Sequence, residues 1–214
     1  MSFFTRHLDP AESLGEILFG LIMVLTFTLG ASVAGGWERG LILAAVGCNV
    51  AWGIIDAALF VMSRVFERSR RGRLIRAVRH APDAGAAVEA IRLEMEPGLE
   101  AVTEPADRER LYRSVHALVA NGTPAPVRLR RDDWLGALAV FILVTATALP
   151  AAAPFLVVAN PHVALRLSNW LLVAILFVVG YRWARHTDAN PWIAGGAAMG
   201  LGVLLVAVAI ALGG

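Results

Sequence analysis

Residues 41–63, "LILAAVGCNVAWGIIDAALFVMS", run straight into residues 64–78, "RVFERSRRGRLIRAV". The first stretch holds one acid and no base. At about 1.5 Å per residue it is long enough to cross a bilayer core of about 30 Å. The second stretch is crowded with arginine. An apolar run that ends abruptly in arginine reads as a membrane helix leaving on the cytoplasmic side.

Four more runs pass the same length test: 15–35, 134–159, 165–183 and 192–213. Arg166 and Asn169 make the fourth the weakest. Pro150 and Pro154 should kink the third or end it near one membrane face. "ASVA" at 31–34 looks like a signal-peptidase site, but Asp9, Glu12 and Glu16 precede a run longer than the usual 7–15 apolar residues or so. The first run therefore reads as a retained membrane helix.

The whole composition agrees. Of 214 residues, 57% are apolar and 17% charged, against about 45–50% and 25% in soluble domains. The expected fold is all-α: a polytopic membrane protein with five transmembrane helices and a cytoplasmic helical insert between the second and third. Residues 1–63 hold the N-terminal segment and the first two spans, 64–133 the insert, and 134–214 the last three spans.

Arginine placement sets the expected topology. All nineteen basic residues are arginine, and fourteen of them lie in 64–133. Arg182 and Arg185 mark a second cytoplasmic loop, while the loops 36–40 and 160–164 hold only Arg39. The N-terminus is then cytoplasmic and the C-terminus outside, in a membrane of the bacterial inner type. Trp37, Trp134, Trp170, Trp183 and Trp192 fall where interfacial belts belong. Trp52 falls mid-span, as a packing residue. Within the insert, residues 81–96 read as a helix capped by Asp83. Residues 103–122 read as another, with Thr103 as cap and Gly122 past its end. The arginine run from Arg64 to Arg79 suits anionic lipid.

Several function classes have no support. There is no phosphate loop, nucleotide fingerprint, paired-histidine zinc motif or serine elbow, so no enzyme is expected. The net charge of +2 does not suit nucleic acid. One cysteine, Cys48, allows no intrachain disulfide.

Asp56 stands out. It lies roughly 10 Å inside the second span, where a carboxylate is costly unless paired, hydrated or protonated, and where acids mark ion or proton paths. The other reading is an internal pair with an arginine or a helix end. Asn49 lies two turns back on the same face, with Cys48 nearby and Met62 about two turns on. Oxygen and sulfur donors of this kind suit a first-row transition ion, although Cys48 and Met62 also serve as ordinary packing. Glu16 sits at the mouth of the first run and Met23 within it. In the insert, Glu89, Glu96 and Glu100 with Met95 form a candidate metal site. Its rival is a salt-bridged solvated face, given Arg92 and the i,i+4 pairs Glu104–Arg108 and Glu109–Arg113. Gly196 and Gly200 form a GxxxG pair in the fifth run, a pattern of close helix contact.

The layout resembles the vacuolar iron transporter family, which shares the plan of two spans, a cytoplasmic helical insert and three spans. "GEILFGLIMVLTFTLGAS" is similar to that family's first helix, and "ALPAAAPFLV", with Pro150, Pro154 and Phe155, to its third. The resemblance implies a homodimer joined through the first helix that exports ferrous iron or manganese against protons. The metal is then cargo, and no cofactor is implied. The family's first-helix aspartate falls at Met23 here, its second-helix glutamate at Asp56, and its second-helix methionine near Trp52. The insert has fewer glutamates and more arginines than the family's metal-binding unit. The alternative is a non-transporting membrane protein whose insert binds lipid or a protein partner.

Overall fold

The computed structural model describes residues 7–33, 40–122 and 126–211. Among them are eight helices and no strand: α1 (Pro10–Val33), α2 (Gly40–Arg79), α3 (Ala84–Leu99), α4 (Pro105–Val119), α5 (Arg131–Ala146), α6 (Ala148–Val157), α7 (Pro161–Ala184) and α8 (Pro191–Ala211). Five stretches are long and apolar enough to cross a membrane: Pro10–Leu29, Leu43–Arg79, Arg131–Val157, Pro161–Ala184 and Pro191–Val208. They mark an integral membrane protein. Trp37 and Arg39 lie outside the described residues. The chain divides into two compact units, Met1–Val61 with Arg131–Gly214, and Met62–Arg130.

In the first unit α1 is the hub, packing on α5, α6, α7 and α8. Leu21, Val24 and Leu25 of α1 meet Ala148 and Ala151 of α6 and Leu172 and Leu176 of α7 in one buried cluster. A second cluster joins Leu8 to Ala139, Val140 and Val144 of α5, with Trp52 and Phe60 of α2 packed on it. Trp52 stands edge-on to Phe19 at 5.7 Å, which is a packing role. Trp134, Trp170, Trp183 and Trp192 are exposed.

The third span is two helices. Pro150 has no N–H, and its ring crowds the carbonyl four residues back, at Ala146. The helix breaks at the next residue, Thr147. Pro154 sits inside α6, which ends three residues later at Val157.

The fourth span is not the weak one that Arg166 and Asn169 suggested. It forms the 24-residue helix α7, well buried on one side. Asn169 turns inward and accepts from the Thr28 hydroxyl at 3.1 Å. Ser168 donates to the Ala151 carbonyl at 2.8 Å. Arg166 lies on the exposed face.

Helices α7 and α8 form a tight hairpin whose seam is glycine. A Cβ on Gly180 would meet the Ala198 Cβ at 2.7 Å and the Ala194 carbonyl at 2.8 Å, and Gly195 and Gly202 are similarly crowded. Gly196 and Gly200 have no heavy atom within 4 Å of such a Cβ. The GxxxG pair therefore faces away from α7. Tyr181 caps the hairpin, edge-on to Trp192 at 5.2 Å.

The second unit has its own core: Val78, Ala87, Ile91 and Tyr112, with Leu74, Met95 and Val115 packed around them. Asp83 caps α3, its Oδ1 accepting from the Ala86 N–H at 2.8 Å. At the start of α4 the cap position belongs to Glu104 rather than Thr103. The Thr103 hydroxyl instead donates back to the Leu99 carbonyl at 2.7 Å, satisfying the end of α3.

Small residues at the α7–α8 seam are thus required by backbone proximity. Gly180→Leu is expected to cost about 1–3 kcal/mol through overpacking. Gly196→Leu, in open space, should leave the melting midpoint of the detergent-solubilised protein unchanged. Thermal unfolding of both variants beside wild type checks the contrast.

Candidate functional site

The break in the third span leaves backbone to be satisfied at membrane depth, where water is scarce. Asn49 of α2 meets it. Its side chain is fully buried. Its amide nitrogen donates to the Thr147 hydroxyl at 2.9 Å and to the Val144 carbonyl at 3.1 Å. It also reaches the Gly20 carbonyl of α1 at 3.4 Å. The Thr147 hydroxyl in turn donates to the Val144 carbonyl at 2.6 Å. One side chain of α2 therefore ties α1 to the broken end of α5. Gly20 is part of the device, since a Cβ there would collide with the Thr147 hydroxyl.

One turn on, Gly53 brings α2 against α5. A Cβ at Gly53 would sit 3.0 Å from the Thr145 hydroxyl and 3.1 Å from the Phe141 carbonyl. Asp56 follows, half-buried. Its charge interacts with that of Glu16 on α1, and Glu16 also feels Glu12. Among the described residues of α2 and α5, three buried oxygens have no hydrogen-bond partner: Asn49 Oδ1, Thr145 Oγ1 and Asp56 Oδ2. Such atoms are rare, because leaving a buried polar group unpaired costs about 1–3 kcal/mol.

The structure brings Asp56, Asn49 and Glu16 into one region, where α1, α2 and α5 meet. The sulfur candidates do not extend it. Cys48 is a half-buried free thiol, and Met23 is half-buried on α1. Met62 is 64% exposed and belongs to the other unit. The unpartnered atoms on this face of α2 and on α5 are all oxygens, which suit protons, water or a hard cation better than a soft one. Among the described residues, no group of three or more His, Cys, Asp or Glu is placed to hold a metal ion.

The insert acids are engaged elsewhere. Arg92 binds Glu109 at 2.7 Å and Glu89 at 3.4 Å, and Arg108 binds Glu96 at 3.6 Å. Arg70 binds Glu94 at 2.5 Å. Arg113 reaches Glu109 at 3.3 Å, the expected i,i+4 pair. Arg108 does not turn to Glu104. It donates to the Thr103 carbonyl at 2.7 Å and the Glu100 carbonyl at 3.2 Å, closing the α3–α4 turn. Met95 packs on the insert core, and Glu100 is exposed. Tyr112 lies at the centre with its hydroxyl unpartnered and the Arg92 guanidinium 5.9 Å from its ring centre. Burial pushes the phenol above its ordinary pKa; Glu96 and Glu109 add to this, and Arg108 and Arg92 oppose it.

Thr145, Thr147 and Gly53 were missed from sequence. A signal was present in "VTATALP", residues 144–150. Hydroxyls just ahead of a membrane proline are the groups that satisfy carbonyls the proline frees. No protein-family model matches the chain, and no curated protein matches it.

The Asn49 contact is open to test. Asn49→Leu keeps the branched outline of the side chain and removes the donor. It should destabilise the membrane unit by about 1–2 kcal/mol, the scale of an interhelical hydrogen bond in a membrane. Asn49→Asp, which presents no amide donor, should fall at least as far. Denaturant titration in micelles measures both.

Proposed function

We propose that the protein is a secondary transporter that carries a divalent metal ion, ferrous iron or manganese, out of the cytoplasm in exchange for protons. The observation that carries this reading is Asp56, a membrane-span acid with an unpartnered carboxylate oxygen and a second acid, Glu16, within electrostatic reach. An ionised side chain at the centre of a span costs about 3 kcal/mol. A group that alternately takes a proton and faces a cation relieves that cost in both states. Asp56 is the exchanging group, Glu16 draws cations toward it, and the oxygens of Asn49 and Thr145 continue the path.

Cargo and direction come from the resemblance to vacuolar iron transporters, as does pairing of two copies through α1. The positive-inside bias puts the insert and the N-terminus in the cytoplasm and the C-terminus outside, in a membrane of the bacterial inner type. A second reading is a non-transporting protein whose insert binds lipid or a partner. It is favoured by one observation: Glu89 and Glu96, the acids expected to gather metal, are held by arginines.

The test is ferrous iron and manganese flux into proteoliposomes under an imposed proton gradient, wild type beside Asp56→Asn. Gradient-driven flux should fall at least tenfold in the variant. Flux that survives Asp56→Asn removes Asp56 from the path. Absence of flux of either metal from folded wild-type protein supports the second reading.

A further inference from the structure

Helices α2 and α5 touch at Gly53, and again where Phe60 covers Gly136. Beside these contacts they leave an open groove of about 510 Å³. The space exists because the residues facing it are small: Ala57 and Ala58 on α2 and Ala137 on α5. Trp134 and Phe141, two turns apart on α5, stand along one wall. Every lining side chain is apolar apart from the Trp134 indole N–H, and the groove lies within two membrane-crossing stretches.

Apolar matter must fill such a recess, because water gains nothing there. A helix about 10 Å wide displaces on the order of 800 Å³ over two turns, more than the groove holds. An extended hydrocarbon chain fits it better. The charged end is also supplied. Arg131 lies one turn before Trp134, on the same helix face. It is exposed, and no hydrogen bond or ion pair engages it among the described residues. Asp132 is exposed too but points about 100° round the helix. Asp133 is buried. Trp134, 59% exposed, is the residue type that sits between headgroup and chain.

We propose that this groove is a binding site for an anionic phospholipid, with one acyl chain between Ala58 and Ala137 and the headgroup phosphate on Arg131. Asp56, Asn49 and Glu16 are not among the residues that line the groove, and the proposal does not depend on transport.

Bromine quenches tryptophan on contact, so Trp134 reports directly on the groove. The protein is placed in phosphatidylcholine nanodiscs in which a minor fraction of lipid carries brominated acyl chains. That fraction is phosphatidylglycerol in one set and phosphatidylcholine in the other. Subtracting Trp134→Phe isolates the signal of Trp134. Its quenching should be at least twofold greater with brominated phosphatidylglycerol. Arg131→Gln should abolish that preference, and Ala58→Phe, which fills the groove from its exposed side, should reduce quenching by both lipids. Equal quenching by the two lipids overturns the proposal. So does a preference that survives Arg131→Gln. A Trp134 that neither lipid quenches overturns it too, and is the result expected if a second copy of the chain covers the groove. The wild-type comparison decides the matter even if Ala58→Phe does not fold.

Discussion

Inside a bilayer a helix must satisfy its own backbone, and the third span of this protein does not. Pro150 removes a donor and the helix parts at Thr147. The surrounding packing answers that local fault. Asn49 is buried because it must reach Val144 and Thr147, and Gly20 has no side chain because Thr147 occupies the space. Three helices are brought together at one point by a single amide, and Gly53 and Asp56 follow from it one and two turns along α2.

The clasp also explains why oxygens are left over beside it. An asparagine that spends its amide nitrogen on α1 and α5 leaves its carbonyl oxygen unpartnered. Close approach at Gly53 brings the Thr145 hydroxyl against backbone rather than against a polar group. The polar face of α2 is therefore a by-product of the same crossing that holds the spans together. A site assembled this way combines a rigid end, at Asn49, with a half-exposed end, at Asp56.

The architecture was largely legible in the sequence, because a membrane imposes a length and a composition on each crossing. The five apolar runs correspond to five stretches able to cross, of which the second runs on to Arg79 and the third is built from two helices. Judging the fourth run weak failed for a physical reason: Asn169 and Ser168 find partners on Thr28 and Ala151, and no single run displays its partners. Asp56 and Asn49 were visible as polar residues in an apolar run. Thr145 and Thr147 were not, since their roles depend on which face of α5 meets α2. The glycines were half-legible. Spacing pointed to Gly196 and Gly200, whereas crowding falls on Gly180, Gly195 and Gly202. In the insert, Glu109–Arg113 formed as its spacing suggested, while Arg108 was drawn to the carbonyls of the turn.

Every ion pair described in the insert is made by arginine, and the chain contains no lysine at all. Its inventory of nucleophiles is correspondingly short. Reagents that acylate amines, ligases that tag lysine and aldehydes that form imines find no side chain to attack. The one thiol is that of Cys48, half-buried in a membrane-crossing helix. A thiol placed anywhere else in this protein therefore has a single native competitor, Cys48.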